Sequence, residues 1–249
     1  IIFTLKIGNV LLIRRKVIAV ANSMTLSQDL KELLASVEYK MQIKKGSFIF
    51  QEGMEATELY IIHSGKVQIS KLSADGQELT LRICSAYDII GELTLFTDNA
   101  KYLLNSKCLE DVEVGVIKRE ALEKELLQKP ALVFEFMKWI SEHLRRMQTK
   151  FRDLVLHGKK GALYSTLIRM TNSYGILKEN GILIDLPLTN QELANFCATS
   201  RESVNRMLNE LKKQGTISIH KGKITIHDLQ FLKCEIACED CSASVCSID

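Results

Sequence analysis

The sequence predicts an α+β protein with an N-terminal β-roll of the jelly-roll kind, a long dimerisation helix and a C-terminal winged helix-turn-helix. Three observations predict it. Between residues 44 and 118, short apolar runs alternate with turn signals at regular spacing, the pattern of a barrel built from many short strands. After Pro130 the apolar residues switch to helical spacing. Beyond Gly161 the order is helix, strand, two helices and a hairpin, which is the order of a winged helix-turn-helix.

Composition is compatible with this reading. The chain has 249 residues, 46% of them apolar and 25% charged, enough for two domains with proper cores. The net charge is only +3, yet residues 159–223 hold ten basic side chains against five acidic ones, which suits a polyanionic partner. No apolar run approaches the roughly 18 residues that a membrane helix requires. Residues 1–20 are apolar but carry Arg14, Arg15 and Lys16 in their middle, the reverse of a signal peptide's order. Residues 1–23 are therefore read as an upstream extension outside the native fold, with the natural start at Met24. Seven cysteines without a secretory signal favour a reducing, cytoplasmic compartment.

The elements follow in order. Residues 24–129 form the β-roll, with strands expected at 47–50, 59–63, 67–72, 79–84, 86–90 and 113–117 and a hairpin turn at Asp75-Gly76. Residues 130–157 form a helix of about 25 residues opened by Pro130. Along it Phe136, Ile140, Leu144, Met147, Phe151 and Leu154 make one apolar stripe. The stripe can pack on its own barrel, but its length and near-heptad spacing favour a parallel homodimer seam. Gly158 and Gly161 end that helix in a hinge, and Lys159 and Lys160 make either a solvated turn or a phosphate contact.

Residues 158–227 form the winged domain: a helix at 162–174, a strand at 182–186, two helices and a hairpin at 216–226 turning on Lys221-Gly222. Thr189 and Glu192 have capping-box spacing, with Leu193, Ala194 and Phe196 on the buried face behind them. The next helix turns Val204, Leu208 and Leu211 inward and leaves Arg201, Glu202, Ser203, Asn205 and Arg206 at its outward N-terminal half. Arg can donate two bonds to a guanine edge and Glu can accept from cytosine, so these residues are candidates for reading double-stranded DNA in the major groove.

Residues 228–249 hold a helix from about Asp228, with Leu229, Leu232 and Ile236 apolar, and the run Cys234, Cys238, Cys241 and Cys246. Thiols this close can hold zinc or an iron–sulfur cluster, or switch as a redox dithiol. Zinc is the weaker case, since only Cys238 and Cys241 form the usual C-x2-C pair. Cys234 reads as a buried free thiol on its helix, and Cys84, Cys108 and Cys197 as packing residues. No Walker loop, zinc-protease motif or nucleophilic triad is present, so an enzyme is not expected.

From Met24 onward the chain resembles the Crp/Fnr family of bacterial transcription regulators. The segment from Gly91 to Phe96, the run from His157 to Ile168 and the cysteine tail are similar to the Bacillus-type Fnr branch. The resemblance implies a cyclic-nucleotide-binding-like β-roll, a homodimer, RNA polymerase as a partner and activation of anaerobic respiration genes in response to oxygen. The family pattern Arg-Glu-x-x-x-Arg falls on Arg201, Glu202 and Arg206 and implies TGTGA-type half-sites. It further implies a [4Fe–4S] cluster on Cys238, Cys241 and Cys246 with Asp153 as fourth ligand; Cys234 is the alternative fourth ligand, and Asp153 otherwise reads as a solvated carboxylate or one salt-bridged to Arg152 or Lys150. Where the family's cyclic-nucleotide clamp has Arg beside Ser or Thr, this chain has Lys101 and Tyr102, a point charge without the two-pronged fork a phosphate prefers. Cyclic nucleotide is therefore not expected as a ligand, and Glu92 is read as structural.

Overall fold

The computed structural model describes residues 39–248, so the expected extension at 1–23 and the start at Met24 lie outside the described residues. The N-terminal domain is a roll of two four-stranded antiparallel sheets. One has the order β1 (Tyr39–Ile43), β8 (Val112–Lys118), β3 (Glu58–Ser64), β6 (Ile89–Ile90). The other has the order β2 (Phe48–Phe50), β7 (Asn105–Cys108), β4 (Val67–Leu72), β5 (Glu78–Cys84).

Strand alternation explains the layering. Tyr60 and Ile62 of β3 point between the sheets, joining Phe50, Val67, Ile69 and Val114. Leu59 and Ile61 point the other way, onto Leu122 and Leu126 of α1 (Arg119–Gln128) and onto Leu132, Phe136 and Trp139 of the next helix. Each such side chain taken fully from water contributes about 1.5–3 kcal/mol. The expected strand at 86–90 shrinks to Ile89–Ile90, because Tyr87 takes φ 75 and the Asp88 carboxylate accepts the Ser85 amide in a turn.

Helix α2 (Pro130–Tyr174) is longer than expected and breaks at Gly158, with φ 60 and ψ −157, a conformation that glycine tolerates. Gly161, expected as a second breaker, instead lies inside the second half, where a Cβ would come 2.1 Å from His157 Cβ. Its role is close approach, not termination. The apolar stripe divides: Phe136 is buried against the roll, while Leu144 and Phe151 remain 57% and 69% exposed, next to equally bare Val155 and Leu156. The start of the stripe thus packs on its own roll, and an apolar face further on is left uncovered.

The winged domain takes the second half of α2, then β9 (Gly175–Lys178), β10 (Gly181–Ile184), α3 (Asn190–Phe196), α4 (Arg201–Lys213), β11 (Ile217–His220), β12 (Lys223–Ile226) and α5 (Leu229–Glu235). Its sheet has the order β11-β12-β10-β9. The wing turns on Lys221 (φ 48) and Gly222 (φ 75), the double positive φ of a tight two-residue hairpin. Leu163, Leu167, Met170, Leu193, Val204 and Leu208 form the core, with Leu232 of α5 set into it. Phe196, expected to be buried, is half-buried, and Asn195 and Cys197 on either side of it are buried instead. Among the described residues no helix is long and apolar enough to cross a membrane.

His143 packs 4.2 Å from the Trp139 ring on the roll side of α2. Burial pushes its pKa down to about 3, with Arg82, Arg146 and Lys150 adding repulsion. The folded value lies below the unfolded one of 6.5, so neutral His143 supports the fold above that pH and its contribution is lost as pH falls toward 3. Thermal denaturation across this range should show a falling midpoint, and His143→Phe should flatten part of the fall.

Candidate DNA-reading face and cysteine-tail sensor site

Two caps set up the helix pair. Thr189 Oγ1 accepts the Glu192 amide at 3.2 Å while Glu192 Oε2 accepts the Thr189 amide at 2.7 Å, completing the capping box. Ser200 Oγ accepts the Ser203 amide at 3.3 Å and starts α4. Between the helices Ala198 takes φ 47, a left-handed turn at a residue with no special tolerance for it. On α4, Val204, Met207, Leu208 and Leu211 are buried, while Arg201, Glu202, Asn205 and Arg206 are exposed and Ser203 is half-buried. All five candidate reading residues therefore sit on the outward N-terminal half of one helix. Glu202 is held below the usual carboxyl range by hydrogen bonds to its own backbone amide and to Ser200, so it stays an acceptor. Asn205 Oδ1 accepts from Asn190 Nδ2 at 3.1 Å, which spends part of its capacity inside the motif.

The reading domain also touches the roll. Asn195 Nδ2 donates to Glu78 Oε2 on β5 at 2.7 Å. Nothing in the spacing of either residue announces this contact.

The sensor candidates converge on the break in α2. Asp153, in the last turns before Gly158, is only 3% exposed. Its Oδ1 accepts from Arg152 Nε at 3.0 Å and Nη2 at 2.8 Å; its Oδ2 accepts from Ser165 Oγ at 2.5 Å and Arg169 Nη2 at 3.2 Å. The expected pairing with Arg152 is present, that with Lys150 is not, and the second cation is Arg169. Sequence reasoning missed Arg169 and Ser165; their only signal is one-turn spacing on the helix after the hinge.

The tail folds back over this point. Arg146 Nε donates to the Ser244 carbonyl at 2.7 Å, Arg169 Nη1 to that of Val245 at 3.1 Å, Asn172 Nδ2 to that of Cys246 at 2.6 Å and Lys150 Nζ to that of Ile248 at 3.3 Å. Arg152 pairs with Glu239 between Cys238 and Cys241. Burial raises the Cys246 thiol pKa, Arg169 opposes the rise, and Cys238, Cys241 and Asp153 add to it. Lys233 is raised first by its Asp240 hydrogen bond and then by Cys238 and Cys246. Among the described residues no three His, Cys, Asp or Glu side chains close on a common point in metal-binding geometry. Cys234, expected to be buried, is exposed, and its sulfur accepts from Gln230 Nε2. Cys84, Cys108 and Cys197 are buried packing residues.

Between the roll and α2 lies a cavity of about 350 Å³, lined by Ile69, Leu81, Arg82, Glu92, Trp139 and His143 among others. Glu92 is buried there and pairs with Arg82 at 2.8 Å, a structural role. Tyr102 stacks on Phe50 at 4.0 Å and donates to the Glu58 carbonyl, while the exposed Lys101 bridges to Glu55 through backbone.

Comparison with known proteins agrees with this architecture. A cyclic nucleotide-binding domain model matches residues 40–129, and a Crp-like helix-turn-helix domain model matches residues 162–235. The anaerobic regulatory protein of Bacillus subtilis is 58% identical over 92% of this chain and 97% of its own length. The chain belongs to the Crp/Fnr family of transcription regulators. A further Crp/Fnr relative, the CRP-like cAMP-activated global transcriptional regulator of Mycobacterium tuberculosis, is 28% identical over 76% of this chain and 84% of its own length. Among solved Crp/Fnr structures, the c-di-GMP responsive regulator CLP of Xanthomonas campestris shares the fold with TM-score 0.72 at 21% identity, covering 81% of this chain and all of its own. A CooA variant of Carboxydothermus hydrogenoformans does so with TM-score 0.68 at 24% identity, covering 88% and 95%. The Crp/Fnr chain described here is a DNA-binding transcription regulator, not an enzyme.

The capping box carries a measurable share of the reading domain's stability. Thr189→Ala should cost about 1 kcal/mol in chemical denaturation of the protein, since it leaves the Glu192 amide without its cap.

Proposed function

We propose that this protein is an oxygen-responsive regulator, mainly an activator of anaerobic respiration genes, in which a [4Fe–4S] cluster controls binding of a homodimer to a TGTGA-type palindrome. The observation that carries the reading is that Arg169 joins Asp153, at the break in α2, to the tail between Cys241 and Cys246. The 58% identical relative bears the name anaerobic regulatory protein, which gives the signal its physiological side.

The residues present suit such a group. Three thiols and one carboxylate form a soft donor set with one harder ligand, and Arg152, Arg169 and Lys233 stand beside them to balance the negative charge that cluster and ligands carry together. Ser247, next to Cys246 in sequence, is fully buried, and its hydroxyl finds no partner among the described residues. Cys234 is exposed on α5, whereas buried Asp153 is joined to the tail through Arg169, which supports Asp153 as the fourth ligand. When bound, the group supplies an oxygen-labile link between tail and helix.

The chain's own residues do the rest. Arg146, Lys150, Asn172 and Ser173 hold the tail against both halves of α2, so loosening the tail loosens contacts on either side of Gly158. Gly158 is the joint about which the reading domain can be repositioned, a shift between two arrangements that one bound group biases. Leu144, Phe151 and Val155 offer the second copy its apolar seam, which would set two α4 helices over the two halves of a palindrome. Arg201, Glu202, Ser203, Asn205 and Arg206 would then meet base edges and phosphates.

Anaerobic purification followed by iron and sulfide analysis tests the cofactor: a brown protein that bleaches in air supports it, and a colourless zinc protein overturns it. Cys241→Ala should abolish both colour and regulated operator binding. Arg206→Ala should keep the colour yet weaken binding to the palindrome by about 1–3 kcal/mol, relaxing preference at one base pair in a competition assay.

A further inference from the structure

Arg169 touches three segments that would have to act together for a cysteine tail to govern the hinge. Its Nη2 donates to Asp153 Oδ2 at 3.2 Å, on the half of α2 before Gly158. Its Nε donates to Ser165 Oγ at 3.1 Å, on the half after Gly158. Its Nη1 donates to the Val245 carbonyl at 3.1 Å, in the tail between Cys241 and Cys246. The side chain is 2% exposed, so none of these bonds has water as a ready substitute.

The two oxygens of Asp153 are consequently unlike. Oδ2 is locked by Ser165 and Arg169, both buried and both beyond the hinge. Among the described residues Oδ1 is held only by Arg152, which is partly exposed and also paired with Glu239 of the tail. A guanidinium is planar, with its N–H directions fixed relative to one another, so a shift of the Val245 carbonyl either breaks its bond to Nη1 or pulls on the bonds to Asp153 and Ser165. An ammonium in the same place would be a point charge without that fixed fork. A buried ion pair is costly to desolvate and contributes little net stability, so this one is better understood by the geometry it enforces.

We propose that Arg169 is the positioning residue that couples the cysteine tail to the hinge: with Ser165 it anchors Asp153 Oδ2, leaves Oδ1 as the oxygen offered to the tail's prosthetic group, and passes tail displacement to the winged domain. This rests on the reading that the group is held by Cys238, Cys241, Cys246 and Asp153. Second-layer partners of this kind orient a ligand and tune the metal without touching it.

The test uses the full chain, reconstituted anaerobically, as wild type, Arg169→Gln, Arg169→Lys and Ser165→Ala. Iron content, the Mössbauer signal of the oxygen-ligated iron, and affinity for a TGTGA-type duplex are measured with the cluster loaded and removed. In the wild type, loading should raise operator affinity by about tenfold or more, within the usual span of coupling energies. Arg169→Gln should still bind iron on the three thiols, shift the Mössbauer signal, and bring the loaded-to-free ratio to within about threefold of unity. Arg169→Lys should fail to restore the wild-type ratio. Ser165→Ala, a small change that should fold even where the Arg169 variants do not, should lower the ratio by about fivefold. A wild-type ratio or an unshifted signal in Arg169→Gln, full rescue by Lys, loss of all iron from Arg169→Gln, or an unchanged ratio in Ser165→Ala overturns the proposal. Wild type that binds no iron overturns the cluster reading itself, and is distinguished by needing no variant.

Discussion

A carboxylate taken out of water must find partners, and here those partners decide what else is joined. Asp153 is buried at the point where α2 breaks, so its charge can persist only among close donors. Those donors come from two places, its neighbour Arg152 and the following helical half through Ser165 and Arg169, and Arg169 also donates to a carbonyl of the tail. The local need to satisfy one anion therefore knits the end of the long helix, the start of the winged domain and the cysteine segment into one polar knot. Apolar packing alone would not do this, because it is tolerant of small slides whereas hydrogen bonds to a charge are directional.

The long helix distributes its faces accordingly. Phe136 and Trp139 are used up on the roll, and Leu144, Phe151 and Val155 stay bare. Its roll side faces an apolar cavity lined also by the roll's buried Arg82–Glu92 pair, while Arg146 and Lys150 from neighbouring turns reach the tail carbonyls. Contacts from the roll and from the tail thus load the same rod on the N-terminal side of Gly158. A glycine with positive φ and no crowding around a would-be Cβ is where such a rod can bend at least cost.

What the sequence made legible follows period and punctuation. Strands β3, β4, β5 and β8 are apolar runs bounded by turns, and the wing and capping box are short-range patterns, so each could be found from local residues. Strands β1 and β7 could not, since Lys40, Gln42, Asn105 and Lys107 give them polar faces and their stability comes from pairing far along the chain. Helix α1 was hidden because only Leu122 and Leu126 mark its buried side. The outward residues of α4 were readable because burial of Val204 and Leu208 fixes their direction. Arg169 and Ser165 were not, since a polar residue inside a core helix looks ordinary until its distant partner is known. The exposure of Cys234 was misjudged for a related reason: Leu232 and Ile236 do define a buried face on α5, but Cys234 lies on the other side of it.

The central claim is that an air-labile group at the tail governs operator binding through the knot at Asp153. It is tested most directly by following operator affinity and visible colour together while air is admitted to anaerobically prepared wild-type protein. The account predicts that both fall along one time course. Full affinity persisting after the colour has gone would contradict it.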